Sequence, residues 1–343
     1  KLEIGDIVVA RTGATTGTAE IIKEDKKAVF ASYLIRFRID ATKAAPFFVG
    51  HVLKSDNWKE FIKSVVGGSA QPGANATVLS QYEITLPPIT TQHRIADILS
   101  VLDEKIELNR QTNATLEAIA QAIFKEWFVD FNFPGTTGEM QDSEIGPIPK
   151  GWLVGKIKDF SKRIQYGLTQ SASTMEIGPH FLRITDIQNG QINWADVPYC
   201  VVDEKDAEKY KIDNYDIFIA RTGASTGENV LAINPPNAVF ASYLIRIQFT
   251  KPQLSVYVGK LLRSRQYFEF IDSIKSGSAQ PNANAQQLTD FDIVLPTLDI
   301  LDNYFRIVAE IENIKSEYQS QSATLTAMRA TLLPKLMSGE ITV

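Results

Sequence analysis

Cysteine is all but missing from this 343-residue sequence, which has only Cys200. One cysteine excludes an internal disulfide and a cysteine-built zinc site, and it suits a reducing, cytoplasmic setting. Histidine is nearly as scarce. His51, His93 and His180 are too far apart for metal-ligand spacing, so no metal is expected. No apolar run reaches the roughly 18 residues of a membrane-spanning helix, and no opening segment resembles a secretion signal, so no membrane partner is expected. An excess of positive charge is also lacking, with 35 Lys and Arg facing 40 Asp and Glu. That balance argues mildly against nucleic acid as a partner. Distribution matters more than the sum, however, and a subunit of an assembly can leave neutralisation to its partners. What the chain does have is a 44% apolar fraction, ample for two modest cores.

It also has an internal repeat. Residues 6–17, DIVVARTGATTG, return at 216–227 as DIFIARTGASTG, and AVFASYLIR at 28–36 returns unchanged at 238–246, both at an offset of 210. GSAQPGANA at 68–76 matches GSAQPNANA at 277–285 after a one-residue slip, and ITLP at 84–87 then matches IVLP at 293–296. Three matches in register are beyond chance and define a tandem duplication. The second unit opens on IGPIPKGW at 145–152, whose counterpart would fall ahead of Lys1. The first unit is therefore expected to be a fragment, short of about 60 residues.

Alternation predicts strands over 181–187 and 216–220 and a longer β-rich run over 239–249. An amphipathic helix is expected over 254–274, with 47–65 as its counterpart in the first unit. A proline stop then precedes a long helical pattern in each unit. Past Pro87-Pro88, apolar positions fall at Ile95, Leu99, Leu102 and Ile106 and resume at Leu116, Ala120, Ile123 and Trp127, interrupted by Asn109 and Asn113. Ile307, Ile311, Ile314, Tyr318, Leu325, Met328 and Leu332 repeat the pattern, with Gln321 in the seam. Two such stretches are expected to pair as an antiparallel coiled coil whose polar seam residues fix register. The fold class is thus mixed α/β (α+β): two repeated domains joined by two long packed helices.

Module, long helix, module, long helix resembles the specificity subunits of type I restriction-modification systems. The resemblance is carried by EWFVDFNFP at 126–134, IGPIPKGW at 145–152, FLRITDIQNGQINW at 181–194, ARTGASTG at 220–227 and LLPKLMSGEI at 332–341. It implies a first target-recognition domain over 1–90, a central spacer helix over 91–133 and a linker over 134–150. A second target-recognition domain over 151–298 and a C-terminal spacer helix over 299–343 follow. It further implies a non-catalytic subunit that binds double-stranded DNA at a bipartite, asymmetric site. Two adenine methyltransferase subunits, which carry S-adenosylmethionine, and two restriction-translocase subunits are the implied partners.

The glycine loops after Arg11-Thr12 and Arg221-Thr222 lack the Lys-Ser/Thr ending of a nucleotide-binding loop. Each arginine suits a DNA phosphate or a guanine edge, or else pairs with a neighbour in a structural turn. Gln280, Asn282 and Asn284 could read adenine edges or tie their own loop by Asx turns. Base reading is expected where the modules differ, between Arg163 and Trp194. The candidates there are Arg163, Gln165, Tyr166, Thr169, Gln170, Ser173, Arg183, Asn189, Gln191 and Asn193. Asn234-Pro235-Pro236-Asn237 resembles the motif of amino-methyltransferases, but Asn237 cannot stack on a flipped base and no glycine-rich methyl-donor turn lies upstream. It reads as a turn. Two other classes remain open: a protein-joining scaffold, which would not bind DNA, and a fused methyltransferase, which would bind S-adenosylmethionine.

Overall fold

The structure, a computed structural model, describes residues 1–25, 27–66, 73–275 and 283–343. Two compact units divide it: Lys1–Asn109 with Gln321–Val343, and Arg110–Ser320. It is mixed α/β, with two 40-residue helices that each contribute to both units.

In the first unit β1 (Ile7–Ala10) lies between β2 (Ala19–Ile21) and β3 (Leu34–Phe37), antiparallel to both. Alternation turns Ile7 and Val9 to one buried face, where α1 (Pro46–Val52) and α2 (Asp56–Val66) supply Phe48, Trp58 and Ile62. Then come α3 (Ala76–Leu79), capped by the Asn75 side chain, and the first long helix, α4 (Ile89–Phe128). Ile95 and Leu99 of α4 close this core together with Leu333 and Leu336.

The second unit begins with a short hairpin of β4 (Met140–Gln141) and β5 (Ile148–Pro149), inside the segment expected to be a plain linker. Ile148 is buried there beside Trp152, whose ring also meets Phe128, Phe131 and Phe133 at 6.0, 5.6 and 5.2 Å. The motifs EWFVDFNFP and IGPIPKGW therefore meet in one aromatic cluster. There follow β6 (Leu153–Lys156), α5 (Ile157–Phe160), β7 (Arg163–Tyr166), β8 (His180–Leu182), β9 (Ile187–Gln188), β10 (Gln191–Ile192) and α6 (Glu204–Tyr210). The strands β11 (Ile217–Ala220), β12 (Asn229–Leu231), β13 (Ala238–Phe240) and β14 (Leu244–Gln248) come next. Last are α7 (Pro252–Leu261), α8 (Arg265–Lys275), α9 (Ala285–Leu288), β15 (Asp292–Leu295) and the second long helix, α10 (Leu298–Met337).

The main sheet runs β12-β11-β14-β7, while β13 pairs in parallel with β8. Ile217 faces Leu231 and Ile247 as Ile7 faces Ile21 and Phe37, so the central trio of strands keeps one register in both units. Three sequence expectations need correcting. The run 239–249 is broken by a turn closed from Leu244 N to Ala241 O at 2.9 Å. The stretch 254–274 is two helices: one ends at Leu261, and the Ser264 hydroxyl accepts from Tyr267 N at 3.3 Å to begin the next. Its counterpart 47–65 breaks likewise at Ser55. The stretch 181–187 is not one strand, since Ile184–Asp186 turns as a 3-10 helix between β8 and β9.

Within each unit α4 packs on α10, partner numbers falling as residue numbers rise. In the first, Asp103 meets Arg329 at 2.6 Å and Asn109 Nδ2 donates to Gln321 Oε1 at 2.8 Å. In the second, Asn113 Nδ2 donates to Lys315 O at 3.2 Å, and Phe124 and Phe128 lie 6.3 and 4.8 Å from the Tyr304 ring. The seam asparagines bond across the helix pair, as their place in the pattern predicts.

Candidate nucleic-acid interface

The Arg-Thr-Gly loops are held by their own backbone and by the helix beneath them. Gly227 N donates to Ala220 O and Gly17 N to Ala10 O, each at 2.8 Å. Both glycines have positive φ, and an added Cβ would fall 2.6 Å from Ile271 or Ile62, so only glycine fits. The second polar loop of each unit returns to the first: Ala283 N donates to Arg221 O, and Ala74 N to Arg11 O, each at 2.9 Å. These loops are thus a scaffold at the backbone level.

Their side chains differ. The Arg221 guanidinium lies 5.1 Å from the Tyr166 ring centroid, and its Nε donates to Ser242 O at 3.1 Å. Tyr166 Oη accepts from Ala285 N at 2.9 Å, next to Asn284, whose side chain caps α9. The structure therefore gathers Arg221, Thr222, Tyr166 and Asn284 at one end of the sheet. Arg163 begins the edge strand β7 and is exposed. Arg11 and Thr12 are exposed on the equivalent loop of the first unit. Gln280 and Asn282 lie outside the described residues.

The remaining candidates are not gathered with these. Thr169 and Gln170 are exposed loop residues, and Ser173 bridges to Tyr199. Arg183 is held bidentately by Asp186, Nε to Oδ2 at 3.0 Å and Nη2 to Oδ1 at 2.8 Å, which raises its guanidinium pKa. Asn189 and Gly190, both at positive φ, turn the β9–β10 hairpin as an Asn-Gly pair does. Gln191 accepts from Gln319 at 2.9 Å, and Asn193 donates to Asp196 at 2.6 Å. Asn234, at positive φ, lies between β12 and β13, its amide bonded to Asn214 and its side chain to Asn313. Among the described residues no group of three His, Cys, Asp or Glu could hold a metal, and no helix is long and apolar enough to cross a membrane.

Comparison with known proteins follows the same lines. Residues 1–118 match the family described as the type I restriction modification DNA specificity domain. The specificity subunit of the type I restriction enzyme MjaIX of Methanocaldococcus jannaschii is 27% identical, covering 99% of this chain and 76% of its own. The HindI specificity subunit of Haemophilus influenzae is 24% identical, covering 98% and 86%. The first third of the chain thus matches that domain family, and nearly the whole chain is similar to type I specificity subunits. The crystal structure of the type I restriction-modification S subunit from M. genitalium shares the fold, with a TM-score of 0.61 at 16% identity over 98% of this chain and 83% of that one.

Sequence reasoning missed the buried charges of this chain. Arg246 is buried, with Nη1 donating to Lys211 O at 2.5 Å and to Asp216 Oδ2 at 3.3 Å, and Nη2 to Gln165. Gln165, a candidate base reader, is thus engaged in holding a strand arginine. Burial raises the Asp216 carboxyl pKa and lowers that of Arg246, so the pair persists by mutual charge and hydrogen bonds. The signal was present: Asp6 and Arg36 stand at the same repeat positions and approach at 3.7 Å.

Proposed function

We propose that this chain reads a bipartite, asymmetric site in double-stranded DNA through two target-recognition domains, 1–90 and 151–298. The helices α4 and α10 form an antiparallel coiled-coil spacer that holds the domains apart, with 134–150 as a linker. Two methyltransferase subunits carrying S-adenosylmethionine and two restriction-translocase subunits complete the cytoplasmic assembly. The observation that carries this reading is the gathering of Arg221, Thr222, Tyr166 and Asn284 at one sheet end. An arginine braced on an aromatic ring keeps its forked donors oriented for a phosphate or a guanine edge.

The test is salt-dependent retention on duplex DNA together with Arg221→Ala. The variant is expected to weaken binding by about 1–3 kcal/mol. It should also relax one half-site if the arginine reads a base, or lower the salt slope by about one if it holds a phosphate. No retention by the unaltered protein would favour the scaffold, and unchanged affinity with a lower Tm would make Arg221 purely structural.

A further inference from the structure

Two residues that the repeat makes equivalent tie each α/β lobe to the long helices. Val49-Gly50-His51 on α1 and Val258-Gly259-Lys260 on α7 occupy one position. An added Cβ at Gly50 would lie 3.2 Å from Ile21, and one at Gly259 3.3 Å from Leu231, its repeat equivalent. The residue after each glycine reaches a long helix. Lys260, 9% exposed, meets Glu117 of α4 at 2.9 Å and Glu312 of α10 at 2.6 Å, and Lys315 bridges the same two carboxylates. His51 Nε2 lies 3.2 Å from Ser100 Oγ and Nδ1 lies 3.8 Å from Asp103, which also holds Arg329 of α10 at 2.6 Å. Asp103 and Glu312 stand at the same offset of 209 as His51 and Lys260. One tie, made by the lobe helix, the helix that follows the lobe and the other long helix, is therefore built twice from different chemistry.

Apolar contacts hold a lobe on the helices without fixing its direction, because burial is nearly indifferent to small rotations. Buried ion pairs, such as those of Lys260, and hydrogen bonds of a buried side chain, such as that of His51 with Ser100, are different. The attraction falls as the partners separate, and a charge left without its partner is costly to keep out of water. We infer that Lys260 and His51 are positioning residues that set the orientation of each reading lobe on the spacer, and with it the gap tolerated between half-sites. The inference rests on the DNA-reading role proposed above.

The test uses the full-length subunit assembled with its methyltransferase partners. The substrate is a DNA library with both half-sites fixed and the gap varied one base pair at a time, read by adenine methylation. Lys260→Met keeps the stem and removes the charge. It is expected to raise methylation at neighbouring gaps about ten-fold, equivalent to about 1.4 kcal/mol of lost discrimination, with the half-site bases unchanged. Lys260→Arg should restore the single gap. Glu117→Gln keeps its shape and should widen the gap less, so the test survives a folding failure of Lys260→Met. A single unwidened gap in whichever of these two variants is folded, or a widening that Lys260→Arg does not reverse, would overturn the inference. A wild-type complex that methylates no bipartite site would instead overturn the DNA-reading role itself.

Discussion

The nonapeptide AVFASYLIR occurs in both units, in two different surroundings. Val239 is 1% exposed and Val29 83%; Phe240 is fully buried and Phe30 37% exposed. The first three residues form β13 in the second unit, paired with β8, while 28–30 form no strand in the first. The next contacts agree closely: Ile212 N donates to Ala238 O and Leu2 N to Ala28 O, each at 2.9 Å. Identical sequence fixes the local turn and the backbone partners it can reach. In the second unit that burial comes from β8, whose repeat equivalent would fall ahead of Lys1.

The widest separation between the two copies should come from truncating that phenylalanine. Phe240→Ala removes a ring packed against Phe218 and Tyr210 and should cost about 3–5 kcal/mol. Phe30→Ala, whose ring is partly in solvent with Arg36 over it, should cost about 1 kcal/mol or less. Hydrogen exchange in β11 and β1, measured for each variant, reads the two units separately. Equal losses would mean that Phe30 is packed as tightly as Phe240.

Acid should separate the units next. Burial holds His51 below its ordinary value of 6.5, at about 4, outweighing Asp103, while Lys54, Lys23 and Arg329 add to the lowering. The His51 Nε2 lies 3.2 Å from Ser100 Oγ. The unfolded chain therefore binds a proton between about pH 6.5 and 4 that the folded chain refuses, and the first unit loses about 1–2 kcal/mol by pH 5. Burial also opposes the charge on Glu117, but Lys260 and Lys315 outweigh it and hold its pKa near 2, below the ordinary 4.5. That contribution is complete above pH 4.5 and is lost as pH falls toward 2. Hydrogen exchange at pH 7 and pH 5 should show the first unit loosening while the Lys260 network holds, and His51→Gln should flatten the first unit's response. A second unit that loosens equally over that range would break the distinction.

What the sequence made legible follows the same division between local and distant causes. Heptad spacing placed both long helices and marked Asn109, Asn113 and Gln321 as polar seam residues, because helical periodicity is written in neighbouring residues; that Asn109 meets Gln321 is set by how the helices pair. The breaks at Ser55 and Ser264 were local too, but each serine was hidden inside a continuous apolar pattern. The partners of Lys260 lie 143 residues away in one direction and 52 in the other, so no local pattern announces them. Among the candidate readers, Arg221 and Tyr166 come together only because β7 sits beside β14 at the sheet edge. Gln165 and Arg183 are engaged by buried or capping partners whose positions depend on the fold.

The smallest expected effect is one in which the copies should not differ. Gly13 and Gly223 both adopt positive φ, at 81° and 70°, and an added Cβ at either would meet nothing within 4 Å. Replacement by alanine then costs only the left-handed backbone strain, about 1 kcal/mol, with no packing contribution to separate the two sites. Gly17 and Gly227 would be poor choices, since a methyl group there collides with Ile62 or Ile271. Gly13→Ala and Gly223→Ala should therefore lower stability equally, read by hydrogen exchange in the strand preceding each loop. Equal losses would place the equivalence of the two copies in the backbone and their differences in the side chains that surround it. A markedly larger loss at Gly223 would mean that the second loop is under a constraint that the first escapes, and the loops could no longer be treated as one scaffold used twice.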